Sequence, residues 1–332
     1  MFTSSTRRLI TATALATAAV ACTPVVAVAT ATPSAPTIEK IETEGPTQYG
    51  VYVYSTAMAK TIKVQVLVPS VDRGPRPTLT MLSGLGEEDP TNSMWLRKTD
   101  ASSFYRDKNV TVALPLAGNG SFYTDWQRDD PKLGRYKWET FLTRELPPLL
   151  QNRFSGNGIR GIGGLSMGAG SALTLAARNP GYFKSVASFS GCYSTSDIVS
   201  QGVPRTIVAA FGGNADNMWG PPSDPAWAAH DVLLRANGLR GTSVYVSVGS
   251  GLPGPYEAPN YPGNSNPADR AIVGGGIEAG ANFCTHRLAE TLAAKRIPAT
   301  FDFEPRGSHS WPYWQDQLHR SWPTVARGLG IG

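Results

Sequence analysis

The stretch Ile159-Arg160-Gly161-Ile162-Gly163-Gly164-Leu165-Ser166-Met167-Gly168-Ala169-Gly170 decides how this chain is read. Ile159 to Leu165 has the apolar, β-rich character of a buried strand, and Met167 to Arg178 continues as a helix of small and apolar residues. Between them Gly164-Leu165-Ser166-Met167-Gly168 matches G-x-S-x-G. A nucleophilic serine on a sharp strand-to-helix turn needs small neighbours, because the turn is strained and crowded. Its hydroxyl then stands at the C-terminal end of the strand, in front of a helix N-terminus that stabilises developing negative charge. The bare pattern is weak in a chain with 35 glycines. The strand before it and the helix after it give it weight.

Outward from this motif, strand-like and helix-like segments alternate. Val51 to Tyr54 and Ile62 to Val68 read as an antiparallel edge pair. Thr78 to Leu82, Val110 to Leu116, Ser185 to Ser190, Ser243 to Val248 and Thr300 to Phe303 read as further strands. Helical spacing runs over Tyr136 to Phe154, where Pro147-Pro148 predicts a kink or an end. It recurs over Pro225 to Arg235, Glu278 to Lys295 and Trp311 to Leu329. Strands separated by helices predict βαβ units, hence an α/β domain with a mostly parallel sheet flanked by helices. Ser250 to Gly276, dense in Gly, Pro and Asn, reads as a long functional or mobile loop inside that one domain.

A serine nucleophile needs a base, and the chain has four histidines. The order along the chain in this arrangement is Ser, acid, His, with the His on the loop after the last strand. His309 alone is so placed; His230, His286 and His319 fall within helical patterns. Position leaves Glu257, Asp269 and Glu278 as candidate acids, with Glu278 favoured because it sits where the loop enters a helix. The acid would fix the imidazole tautomer and stabilise the imidazolium. The backbone N–H groups of Met167 and Leu85 are the candidate oxyanion donors. Leu85 follows the Thr78 to Leu82 strand in Leu82-Ser83-Gly84-Leu85-Gly86, whose glycines permit close approach.

The N-terminus reads as an export leader: Arg7-Arg8, the apolar run Leu9 to Ala21, and Ala27-Val28-Ala29 as a cleavage site. The reading divides the chain into a signal peptide at 1–29, a flexible mature N-terminus at 30–44 and one domain at 45–332. Cys192 and Cys284 then remain in an oxidising compartment, and whether they pair stays open. The chain has 332 residues, 41% hydrophobic and 17% charged, with formal net charge +5, 26 Pro and 3 Cys. That composition belongs to a folded globular chain. No apolar run reaches the roughly 18–20 residues of a membrane span. Three widely spaced cysteines exclude a Cys-rich zinc module, and the absence of a basic run argues against nucleic-acid binding.

Ser121-Phe122-Tyr123-Thr124-Asp125-Trp126, the run Tyr136 to Glu145, Gly164 to Met167, Met218-Trp219-Gly220, Asp224-Pro225-Ala226-Trp227, His309-Ser310-Trp311 and Tyr313-Trp314 together resemble the antigen 85 mycolyltransferases. The matches run in order from about residue 45 to 325. The resemblance implies an α/β-hydrolase fold and a Ser166–Glu278–His309 triad, with Leu85 and Met167 as oxyanion donors. It also implies secretion to the cell envelope and acyl transfer from trehalose monomycolate through an acyl-serine. The acceptor would be a second trehalose monomycolate, arabinogalactan or another envelope hydroxyl, and no cofactor or metal is implied. Trehalose mycolate esters and envelope acceptors are the expected partners, with no nucleic acid and no stable protein partner. Trp311, Ser83 and Trp126 are the expected substrate-binding residues. Ser83 and Gly86 stand where the family carries an Asp and an Arg, Val248 where it carries a Cys, and the Ser250–Gly276 loop looks longer. These departures point to a corynebacterial-type branch with a shorter acyl chain. The triad by itself also fits a secreted serine esterase or a diacylglycerol acyltransferase, and the fold a non-catalytic envelope or matrix-binding protein.

Overall fold

The computed structural model describes Met1 and residues 34–86, 89–262 and 266–332. The expected leader at 1–29 lies, Met1 aside, outside the described residues. One compact unit runs from Pro33 to Gly332.

Its frame is a nine-stranded sheet: β1 Thr37–Gly45, β2 Gln48–Ser55, β3 Lys60–Leu67, β4 Arg76–Leu82, β5 Thr111–Pro115, β6 Gly156–Leu165, β7 Ser185–Phe189, β8 Ser243–Gly249 and β9 Thr300–Glu304. The spatial order is β1-β2-β3-β5-β4-β6-β7-β8-β9. β1, β2 and β3 are antiparallel, β3 joins β5 antiparallel, and from β5 to β9 all pairings are parallel. This is the expected mostly parallel sheet. β5 and β7 are buried at every position, as parallel strands covered on both faces must be. β2 alternates, with Val51 and Val53 buried and Tyr52 and Tyr54, which follow them, half-exposed.

The flexible segment expected at 30–44 is corrected from Thr37 onward, where the chain forms β1. Register shifts between Ile38 and Lys40 and between Thr43 and Gly45 break its period of two. Its charges suit an exposed edge strand, and the broken alternation hid it from pattern reading. The prolines also behave differently from expectation. Helical structure runs from Trp138 through a π turn at Phe141–Glu145 into Leu146–Arg153. Pro147 and Pro148 lie in the first turn of that last segment, after the wide turn, where the lost N–H groups cost least.

Three helices position the site, α1 Met167–Arg178, α3 Gly275–Ala294 and α4 Trp311–Leu329; α2 Ile198–Ala210 follows the first of them in sequence. Two apolar clusters lie on the two faces of the sheet. Along β8, Val244 and Val246 belong to one cluster and Tyr245 to the other. α1 contributes Ala172, Leu173 and Leu175 to the first, and α4 contributes Trp314, Leu318, Val325 and Leu329 to the second. The loop expected at Ser250–Gly276 holds a 3-10 turn at Pro255–Glu257, a short helix at Pro267–Asp269 and a π turn at Arg270–Gly274.

Candidate active site

β6 ends and α1 begins at Ser166, whose φ of 54° and ψ of −120° are strained for an L-residue. The glycines on either side explain how the chain tolerates this. A Cβ on Gly164 would lie 2.5 Å from the Gly168 carbonyl oxygen, and one on Gly168 would lie 2.2 Å from the Ser83 carbonyl oxygen. No larger residue fits at either position without moving backbone. The Ser166 N–H donates to Phe189 O at 2.9 Å, which ties the turn to β7.

The tertiary fold brings residues 166, 278 and 309 together. His309 Nε2 lies 2.9 Å from Ser166 Oγ, and His309 Nδ1 lies 2.7 Å from Glu278 Oε2. With the proton on Nδ1, the ring donates to the carboxylate and accepts from the serine hydroxyl. Glu278 is only 2% exposed. A buried carboxylate requires partners, and Glu278 has them: its Oε1 accepts from Ser190 Oγ–H at 2.7 Å and from Gly249 N–H at 2.7 Å. The Trp314 Nε1–H donates to Ser190 Oγ at 3.0 Å, and its ring meets the His309 ring edge-to-face at 4.9 Å. A chain of this kind lets the imidazole take the serine proton while the carboxylate steadies the resulting imidazolium.

The remaining acid candidates separate clearly. Asp269 is exposed. Glu257 is buried, away from the imidazole ring but beneath its loop. It accepts from Ser308 Oγ–H at 2.6 Å, Tyr313 Oη–H at 2.6 Å and Gly254 N–H at 2.7 Å. The other histidines are engaged elsewhere. His230 is buried and stacked on Trp219; burial, with Arg178 adding to it, lowers its pKa to about 3. His286 stacks on Phe303, and His319 on Phe104.

Met167 opens α1 directly after the serine. A Cβ on Gly84 would be 3.4 Å from the Ser166 Cβ, so the Ser83-Gly84-Leu85 loop lies over the nucleophile. The Ser83 N–H donates to Tyr123 Oη, and Leu85 O accepts from Gly120 N–H. Of the expected substrate residues, Trp311 opens α4 half-buried, with its ring edge-to-face with Trp95 and Trp314. Ser83 is buried, one residue before Gly84 in the loop over Ser166. Trp126 is a correction: it is 0% exposed, packs edge-to-face on Tyr136 and donates its Nε1–H to Ser121 O. A fully enclosed indole has no surface to offer a substrate, because aromatic mass of this size is drawn into the core. Cys192 and Cys284 form a disulfide that joins the segment after β7 to α3, the helix carrying Glu278. Ser190, Trp314, Tyr123 and Glu257 were not singled out as supports of the site. Glu257 stood among the candidate acids, and Tyr123 and Trp314 lie in the motifs of the family resemblance; Ser190 carried no sequence signal. Among the described residues no group of three His, Cys, Asp or Glu side chains is placed to hold a metal ion.

Comparison with known proteins places this geometry. A family described as putative esterase matches residues 55–325. The diacylglycerol acyltransferase/mycolyltransferase Ag85A of Mycobacterium ulcerans is 34% identical over 301 residues, covering 86% of this chain and 82% of that one. Its Ag85C counterpart of Mycobacterium avium is 32% identical over 331 residues, covering 96% and 88%. Among solved structures, Mycobacterium tuberculosis MPT51 (FbpC1) matches with TM-score 0.68 at 26% identity over 83% of this chain and 96% of that one. An S-formylglutathione hydrolase from Agrobacterium tumefaciens, with TM-score 0.63 at 20% identity over 88% and 99%, shares the α/β-hydrolase fold. Similarity of this extent reaches beyond the fold to the family, and the chain belongs to the Ag85 diacylglycerol acyltransferases/mycolyltransferases.

Proposed function

We propose that this chain is a secreted mycolyltransferase that moves a mycolyl or corynomycolyl group from trehalose monomycolate to an envelope hydroxyl. Trehalose monomycolate itself and arabinogalactan are the acceptors the family resemblance suggests. The observation that carries the reading is the hydrogen-bonded series Ser166–His309–Glu278 on a strained elbow. Ser166 Oγ attacks the ester carbonyl as His309 Nε2 takes its proton. The tetrahedral oxyanion is held by the N–H groups of Met167 and Leu85 and by the positive end of α1. The proton passes to the leaving trehalose oxygen, which departs and leaves the acyl group on Ser166. An acceptor hydroxyl then gives its proton to His309 and attacks the acyl carbonyl; the ester bond to Ser166 breaks, His309 returns the proton to Ser166 Oγ, and transfer outruns hydrolysis only where water is excluded. Ile272, Val273 and Ile277, exposed on the turns leading to Glu278, support an apolar substrate. The export leader read at 1–29 supports secretion.

The relatives' names carry a second reading, with diacylglycerol as acceptor, which uses the same acyl-serine and differs only in the second step. The test is mass-spectrometric product analysis with purified protein and trehalose monomycolate, with and without diacylglycerol, beside Ser166→Ala. Diacyl trehalose from the wild type alone supports the reading. Triacylglycerol formed in preference moves the acceptor to diacylglycerol. Free acid alone makes the chain an esterase, and no turnover by either protein rejects the donor.

A further inference from the structure

The positive charge of this chain is unevenly placed. β6, β7, β8 and β9 run parallel, so their first residues share one end of the sheet, and Ser166 stands at the opposite end. Seven cations gather at the first end. Arg153 closes the helical segment before β6, and Arg160 lies within β6, level with the start of β7. Lys184 precedes β7, Arg240 precedes β8, and Lys295 and Arg296 precede β9. Arg327 lies in the last turn of α4. Backbone contacts join these positions into one rim. Lys184 N–H donates to Arg160 O at 2.7 Å, and Lys184 O accepts from Ser243 N–H at 3.0 Å. Gly328, next to Arg327, packs so closely that a Cβ there would lie 2.6 Å from Lys184 O. Arg240 Nη2 donates to Lys295 O at 2.6 Å.

No carboxylate answers these charges. Among the described residues none of the seven makes an ion pair. Arg153, Lys184, Arg240, Arg296 and Arg327 are exposed. Elsewhere the described residues carry 21 Lys and Arg against 23 Asp and Glu, so the rim holds the whole excess of positive charge. Like charges gathered without counter-charges repel, and an anionic partner removes that repulsion. The rim is an edge, not a pocket. A cavity beside it, lined by Gln151, Gly158 and Arg160, measures about 20 Å³, which admits a water and not a phosphorylated ligand. The aromatic rings nearby are covered: Arg160 lies over Tyr182 at 4.8 Å and Arg153 over Phe154 at 5.4 Å. A single-stranded polynucleotide therefore finds no stacking face. Four neighbouring strands, about 4.8 Å apart, spread the cations over roughly 14 Å. That spread suits an array of anionic head groups better than one anion. Ser166 is six residues along β6 from Arg160, roughly 20 Å away at about 3.3 Å per residue.

We propose that this rim docks the protein on an anionic phospholipid surface, with the catalytic serine turned away from the bilayer. The test is co-sedimentation of the purified protein with vesicles of phosphatidylcholine alone and of phosphatidylcholine with one-third phosphatidylglycerol. The wild type should bind the anionic vesicles at low salt, ignore the zwitterionic ones, and be released near 1 M NaCl, where the screening length falls to about 3 Å. Each Lys or Arg near such a surface strengthens partitioning about five-fold. The triple variant Arg153→Gln, Lys184→Gln, Arg327→Gln should therefore bind roughly 100-fold more weakly. A second triple variant, Arg128→Gln, Lys132→Gln, Arg287→Gln, removes the same charge away from the rim and should stay within about three-fold of wild type, because screening confines the attraction to charges near the surface. Hydrolysis of p-nitrophenyl butanoate within two-fold of wild type shows that both variants are folded. Should the rim variant fail to fold, the single reversal Lys184→Glu, beside Lys132→Glu, reads the same difference at about 25-fold. Equal losses in the two variants overturn the proposal, since net charge alone then explains binding. Absence of binding by the wild type, or equal binding to both vesicle types, also overturns it. Tighter binding to single-stranded DNA than to the anionic vesicles, at equal phosphate concentration and salt, overturns the assignment to a lipid surface.

Discussion

Replacing Ser190 with alanine asks whether Glu278 is actively held toward His309. Ser190 Oγ–H donates to Glu278 Oε1 at 2.7 Å and accepts Trp314 Nε1–H at 3.0 Å, with all three side chains buried. A hydrogen bond to a charged group contributes roughly 1.5–3 kcal/mol, and a buried donor left without a partner costs about 1–3 kcal/mol. Gly249 N–H still donates to Oε1, so the carboxylate is not orphaned and the lower ends apply. The expected loss of unfolding free energy is about 2.5 kcal/mol. Alanine carries the same Cβ as serine, so the positive φ of 57° at this position is common to both and cancels. The share that reaches catalysis is the loosened aim of the carboxylate on Nδ1, about 1–2 kcal/mol, or roughly 5- to 30-fold in kcat. KM should hold, because a buried Ser190 touches no substrate. Steady-state hydrolysis of p-nitrophenyl butanoate gives kcat and KM, and urea unfolding gives stability. Trp314→Phe should act alike, and the double variant should lose clearly less than the sum of the two. A Ser190→Ala enzyme that is destabilised yet keeps kcat within two-fold would refute the reasoning and reduce Ser190 to packing.

Three other outcomes follow from the same contacts. Glu257→Gln turns an acceptor of three hydrogen bonds into a group that must point a donor at other donors. It should lower stability by about 2 kcal/mol and lower kcat through the loosened His309 loop; full activity at wild-type stability would show that the anchor is idle. The Cys192–Cys284 disulfide spans a sequence separation of 92, for which chain entropy gives about 4.6 kcal/mol as an upper figure and typical measurements about 2–4. The Cys192→Ser, Cys284→Ser double variant should therefore melt some 5–10 °C lower, and an unchanged Tm in calorimetry would contradict this. His230 has its pKa lowered from 6.5 to about 3 in the folded chain. The unfolded chain therefore takes up a proton that the folded one refuses. Stability is whole above pH 6.5 and falls by about 1.4 kcal/mol per unit as pH drops toward 3. Urea unfolding between pH 7.5 and 5 should show this slope in the wild type and a flatter one in His230→Gln; equal slopes would assign the acid sensitivity elsewhere.

What could be read from the chain alone is what local sterics and periodicity encode. Gly164 and Gly168 had to be small because backbone carbonyls pass within 2.2–2.5 Å of where their side chains would start, and that requirement writes itself as G-x-S-x-G. The parallel strands β5 and β7 announced themselves as short apolar runs because both their faces are covered. β1 did not, because its register shifts break the alternation that betrays a half-buried strand. His309 could be chosen from its place after the last strand, and the order Ser, acid, His narrowed the acid to three residues.

Tertiary structure decided the rest, since it turns on contacts between residues far apart in sequence. Glu278 and Glu257 were both positional candidates; folding directs one carboxylate at Nδ1 of His309 and the other at Ser308, 51 residues from it in sequence. Trp126 and Trp311 carry the same side chain, yet one is sealed in the core while the other stands half-open beside the base. The Cys192–Cys284 pairing and the Trp314–Ser190–Glu278 series likewise join segments roughly 90 residues apart or more. A sequence records which groups can donate, accept or be buried. Which of them meet depends on packing across two sheet faces, and no local pattern carries that information.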